Sequence, residues 1–463
     1  MACRKTLLIA ITEIALCAGM ARGADSSAVQ LKLTPSGFAS MEFGEIVKGG
    51  VNKKSNLSMD NTWMKQMVAG LSVDAAFNER NSLAIGMEMQ MYNDFPIKGM
   101  QLYPTFRYQY FYPYLSQAEY AHVFGNTENP YLIISAGYFP FKYNRDIRNL
   151  GEYLFRTGTY PQFILNEFDF PLVRLMGVHT RFTGESLLSG PTEDLNLIGK
   201  FVKNFKIDAL FYSNLQWYAV GDWNAAAIAS ENIAGFVNVG LGVTLNSILS
   251  SDSTLTTPHD PASLYHITYN ETEGWRDSSF YTFKGAKIMA MASIDLKKLV
   301  PSEDFGKEDL RLYGEAAILG LKNYPRNLNG GISYDSILER IPVMIGLNVP
   351  AFKFLDMLSV EAEYFKCPYP NDIGVITDRG IPIPGQPGET GVTNFRDSSV
   401  YAKDNWKWSI YATKTFAKNY TATAQIASDH LRPLAVKEQN VDFSEALHNT
   451  KQWYYMLKLT AGF

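Results

Sequence analysis

Long hydrophobic runs are missing from this 463-residue sequence. The apolar stretch Thr6 to Met20 is broken by Glu13, and no segment reaches the roughly 20 residues a membrane helix needs. A helical membrane protein is thereby excluded. A mean hydropathy of −0.12 does not exclude a membrane wall built from strands, because alternating strands spread their apolar side chains over every second position. Cysteine is almost missing too. Cys3 and Cys17 fall in an N-terminal segment read below as cleaved, which leaves Cys367 alone and no intrachain disulfide. Charge is sparse at 19% of residues, low for a soluble chain of this length. Acidic side chains outnumber basic ones by 46 to 42, which argues against nucleic acid as a partner.

Catalytic signatures are missing as well. His122, His179, His259, His266, His430 and His448 are scattered without metal-ligand spacing, and none lies in an H-E-x-x-H pattern. No nucleophile elbow accompanies any serine. Gly49-Gly50 and Gly330-Gly331 read as turns rather than phosphate-binding loops. The expectation is a protein that is not an enzyme and needs no metal or cofactor.

The N-terminus carries an export signature. Arg4 and Lys5 precede the apolar stretch, and Ala21-Arg22-Gly23 places small residues at the two positions a signal peptidase reads. Cleavage is expected after Gly23, which defines 1–23 as a signal peptide and 24–463 as a single domain. Removing Arg4, Lys5, Arg22 and Glu13 takes the formal charge from −4 to about −6. A lipoprotein-type signal ending at Cys17 is the rival reading, but Leu16 is bulkier than the residue such a signal places there.

Strand periodicity fills the remainder. Leu71 and Val73 alternate with Ser72 and Asp74, and Met87 and Met89 with Glu88 and Gln90. Leu312, Gly314 and Ala316 oppose Arg311, Tyr313 and Glu315, while Leu358, Val360 and Ala362 oppose Ser359, Glu361 and Glu363. Charges at Asp74, Glu88, Arg311, Glu315, Glu361 and Glu363 are costly in a dry core and cheap in a water-filled lumen. On that reading an arginine at Glu361 or Glu88 should be tolerated.

The last strand, Trp453-Tyr454-Tyr455-Met456-Leu457-Lys458-Leu459-Thr460-Ala461-Gly462-Phe463, has one wholly apolar face. It resembles the terminal strand of Gram-negative outer-membrane barrels, in which a final Phe serves as the assembly signal. The resemblance implies an all-β fold: a transmembrane antiparallel up-and-down β-barrel of about 16–18 strands in the bacterial outer membrane. Its partners would be outer-membrane lipid, the barrel-assembly machinery through Phe463, and small solutes. Oligomeric state stays open.

Eighteen strands are expected. The outward set is 36–46, 83–92, 130–139, 172–183, 205–213, 233–247, 309–319, 357–366 and 420–429. The inward set is 66–77, 101–122, 160–167, 194–202, 218–229, 279–296, 339–349, 405–417 and 451–463. Deleting 160–167 and 218–229, where the pattern is weakest, leaves sixteen. Long external connections then include 140–159, the third on that side. In general porins the third loop often folds inward and narrows the pore. By that resemblance Lys142, Arg145, Asp146, Arg148, Glu152 and Arg156 would form a charged constriction. The blander alternative is a loop that covers the mouth with its charges solvated. The resemblance implies a porin-like channel for passive passage of small hydrophilic solutes, or else a closed barrel acting as a surface binding or structural protein.

Overall fold

The computed structural model describes residues 31–52, 57–93, 109–156, 173–184, 204–214, 222–249, 268–270, 275–277, 285–300, 302–321, 337–366, 405–431 and 445–463. The expected signal peptide lies outside them. Among the described residues, sixteen strands pair with their sequence neighbours and close into a barrel. They are β1 (Lys32–Lys48), β2 (Thr62–Asn78), β3 (Asn81–Asn93), β4 (Gln109–Gly125), β5 (Pro130–Phe141), β6 (Val173–Thr183), β7 (Phe205–Asn214) and β8 (Trp223–Ile233). The second half comprises β9 (Val237–Leu249), β10 (Gly285–Asp295), β11 (Arg311–Ile318), β12 (Val343–Asn348), β13 (Met357–Tyr364), β14 (Trp406–Phe416), β15 (Tyr420–Ser428) and β16 (Trp453–Gly462). Every wall pairing is antiparallel, and β1 bonds to β16 from Phe38↔Gly462 to Ile46↔Tyr454, which leaves no open edge.

The sheet follows from the alternation. Val343–Asn348 reads exposed-buried throughout, and Glu361 and Glu363 are buried between exposed Val360 and Tyr364. Large apolar side chains such as Leu71, Met87, Leu241, Ile345, Val360 and Leu459 stand bare on the outer face, Leu71 at 63% and Leu241 at 64%. A continuous apolar surface of this extent needs lipid, not water, around it. The expected faces hold on β2, β3, β11, β13 and β16.

Several strand assignments change. Segment 218–229 is a wall strand, β8, displaced to 223–233. Segments 160–167 and 194–202 lie outside the described residues. The ladder pairs β5 with β6 and β6 with β7 directly, from Phe141↔Val173 and Thr183↔Lys206, so the wall is sixteen strands. As a result β6 runs opposite to the direction assigned to 172–183. Local alternation gives a strand's faces but not its direction, and one extra strand upstream reverses it. One end of the barrel, here the loop end, gathers the strand ends that flank 49–61, 94–108, 142–172, 215–222, 250–284, 319–342, 365–405 and 429–452. The other end carries the turns, including Glu79–Arg80, where Asn78 Oδ1 accepts from the backbone N–H of Arg80 and Asn81, each at 2.9 Å.

Candidate functional site: the third loop and the lumen wall

The third loop-end connection begins where β5 ends, and its described part, 142–156, is largely buried. It turns into the barrel. Gly151 (φ +94°) and Glu152 (φ 59°) adopt left-handed conformations, and the chain then makes a single helical turn, α1 (Tyr153–Arg156). A Cβ at Gly151 would approach Ile147 at 3.0 Å and Met344 at 3.3 Å, so strain and space both favour glycine there.

Three carboxylates on the lumen face of the opposite wall receive the loop's donors. Glu361 on β13 accepts the backbone N–H of Arg148 at 2.6 Å, of Asn149 at 2.9 Å and of Leu150 at 2.8 Å. Glu315 on β11 accepts the Tyr153 N–H at 2.8 Å, the Glu152 N–H at 3.2 Å, the Tyr143 hydroxyl at 2.6 Å and the Asn144 amide at 3.2 Å. Glu363 accepts the Tyr153 hydroxyl at 2.7 Å. Loop backbone N–H groups with no helix or ladder to join are satisfied here by ionisable side chains, the stronger kind of acceptor. The expectation of wet lumen carboxylates is therefore corrected: Glu315, Glu361 and Glu363 are at most 3% exposed, because the loop covers them. Tyr313 completes the clasp, its hydroxyl meeting Ser359 at 2.6 Å and donating to Glu361 at 2.8 Å. Its ring lies against Gly346, where a Cβ would fall 2.3 Å from ring atoms; the glycine makes the room.

Apolar packing reinforces the docking. Ile147, Leu150, Leu154 and Phe155 share a core with Phe139, Leu175, Tyr212, Ile228, Met289 and Met344, drawn from strands on both sides of the lumen. The Phe155 ring sits 5.3 Å from Phe141 and 5.4 Å from Tyr212.

The six expected constriction residues divide. Lys142 donates to Ile147 O at 2.8 Å, and Arg156, buried, donates to Asn149 O. Glu152 accepts the Asn144 N–H at 2.6 Å. These three hold the loop's own shape. Burial and then the neighbouring Glu315 push the Glu152 carboxyl up to about 8, and burial lowers Lys142. Asp146 pairs with Arg311 of β11 at 2.7 Å. Arg148 donates from Nε to the Met357 sulfur at 2.8 Å and from Nη1 to Arg145 O at 2.9 Å, with Glu308 at 3.7 Å. Arg145 alone of the six is exposed.

Groups the sequence left unassigned join them. Asp429 accepts from Asn149 at 2.6 Å and from Tyr454 at 2.8 Å. His430 bridges Glu363 at 2.6 Å and Glu445 at 2.5 Å, and Lys407 lies 3.1 Å from Glu445. The connection 429–452 is thereby tied to the same wall strand as the third loop. Elsewhere Glu88 is held by Arg174 at 2.8 Å and by the Tyr114 hydroxyl at 2.5 Å, so it too is no free lumen charge. Lumen-face parity pointed to these carboxylates; no local pattern pointed to His430.

A closed wall with an apolar outside, a polar inside and a loop docked within it defines a transmembrane β-barrel of the outer-membrane type. No protein-family model and no curated protein matches the chain. Solved structures similar to it include OprB of Pseudomonas putida in its high-pH form, at 10% identity over 93% of this chain and 94% of that one, with a TM-score of 0.48. OmpF of Salmonella typhi, in complex with daunomycin, is similar at 9% identity over 95% of this chain and 100% of that one, with a TM-score of 0.44. A triple mutant of the Rhodopseudomonas blastica porin follows at 7% identity over 93% and 100%, with a TM-score of 0.42. The fold assignment rests on the ladder itself.

Proposed function

We propose that this chain is a porin-like channel of the bacterial outer membrane for passive passage of small hydrophilic solutes, narrowed by residues 142–156. The carrying observation is a closed sixteen-strand wall, apolar outside and polar inside. A wall of that size encloses more volume than its own side chains fill. The docked loop then sets the free cross-section, and Arg145 is its open charge. A second reading, a closed barrel serving at the surface, is favoured by one observation: the apolar core that joins the loop to walls on both sides of the lumen.

Planar-bilayer recording separates them. The channel reading expects ohmic conductance in simple salt. It also expects the reversal potential in a salt gradient to move toward cation preference when Arg145 and Arg148 are both replaced by alanine. Conducting channels with an unchanged reversal potential would place the loop outside the constriction. Folded protein that passes no current would establish the closed reading.

A further inference from the structure

Deeper along β6 and β7, toward the turn end, the lumen face carries a cluster that the loop clasp does not use. Arg181 and Asp208 are directly opposed in the ladder, as are Thr183 and Lys206. Asp208 Oδ1 accepts from Arg181 Nε at 2.7 Å and meets His179 Nε2 at 2.8 Å, while Oδ2 faces Lys206 Nζ at 3.1 Å. Both carboxylate oxygens are thus engaged, and the side chain is 5% exposed. Arg181 and Lys206 remain 28% and 34% exposed. Arg181 spends only its Nε on Asp208, and among the described residues no acceptor holds its two terminal nitrogens. His179 backs the cluster against the Phe139 and Phe141 rings, at 6.0 and 5.1 Å.

Holding one aspartate in place needs one cation. Here two permanently or normally charged groups, Arg181 and Lys206, meet a single saturated carboxylate, beside an apolar floor where charges are poorly screened. The forked terminal nitrogens of Arg181 suit two oxygens of one planar or tetrahedral anion. We propose that Arg181 and Lys206 form a binding site for a small oxyanion, the phosphate or carboxylate group of a solute, on the lumen wall. The site would hold such solutes at the side of the path between loop and wall, and this use of it rests on the channel reading above.

The test uses inorganic phosphate and the full-length folded protein in detergent, with heat-modifiable migration as the folding control. Titration calorimetry at low ionic strength should show saturable binding. R181Q combined with K206Q should raise the dissociation constant tenfold or more. D208N should tighten it by removing the competing charge. Equal affinity in the wild type and in R181Q/K206Q, or no saturable binding by the wild type, overturns the site. Phosphate binding by a protein that passes no current overturns the channel and keeps the site. Current without phosphate binding does the reverse.

Discussion

Glu152 sits where a carboxylate ionises with difficulty, buried beside Glu315, and its pKa of about 8 stands above the usual 4.5. The folded protein therefore holds a proton there that the unfolded chain releases. A raised carboxyl contributes stability in full below the unfolded value and loses it as pH rises through the folded one, here between about 4.5 and 8. His430 points the same way. Burial opposes its charge, but Glu445 and Glu363 outweigh burial and raise the imidazole from 6.5 to about 10. Its contribution is complete below 6.5 and lost as pH rises through 10. Both loop-end segments should loosen on the alkaline side. Hydrogen exchange at the 142–156 amides, corrected for intrinsic rate, should lose protection from pH 5 to 9. Glu152→Gln should remove the lower part of that dependence and leave the upper. Flat protection across the range in the wild type would refute the assignment.

At the scale of elements, the strands were the legible part. Period-2 alternation identified both faces of β2, β3, β11, β13 and β16, because lipid and lumen differ in polarity at every second residue. Replacing Leu358, Ala316 or Met87 by arginine puts a charge toward lipid and should destabilise the wall by roughly 2–4 kcal/mol near mid-membrane. The loop was legible only in position. Alternation places Glu361 on the lumen side, but what covers it there is decided by donors on a segment more than 200 residues away in sequence. Tolerance of arginine at Glu361 was expected on the premise of a wet lumen, and the docked loop reverses it. Glu361→Ala would strand three loop N–H groups, two of them buried, at about 1–3 kcal/mol for each buried one. Limited proteolysis should then cut within 142–156 while the heat-modifiable barrel persists. Protection equal to wild type would mean the clasp is not what holds the loop. His430 escaped notice for a related reason: its partners, Glu363 and Glu445, meet only after the wall has closed.

For the molecule as a whole, closure depends on the β1–β16 seam. Gly37 N–H donates to Phe463 O at 3.1 Å, and Phe463 N–H returns a bond to Gly37 O at 3.0 Å. The Phe463 ring lies where a Cβ on Gly37 would stand, 2.4 Å from it, so the aromatic covers a glycine across the seam. Deleting Phe463 removes that cover and the proposed recognition point for the barrel-assembly machinery together. Insertion should fall, with protein accumulating in the periplasm. Undiminished heat-modifiable barrel in the outer-membrane fraction would count against that role.

The docked loop also has a mechanical meaning. A single-layer cylinder has stiff hydrogen-bonded circumference but little resistance to flattening, since ladder bonds can hinge from strand to strand. Residues 142–156 leave the wall at β5 and fasten to β11 and β13 by Glu315 and Glu361. They act as a cross-brace along one diameter. Lateral pressure from the membrane along that diameter is met by the packed loop. The brace makes the barrel stiffer along that diameter than a wall of ladder bonds alone would be.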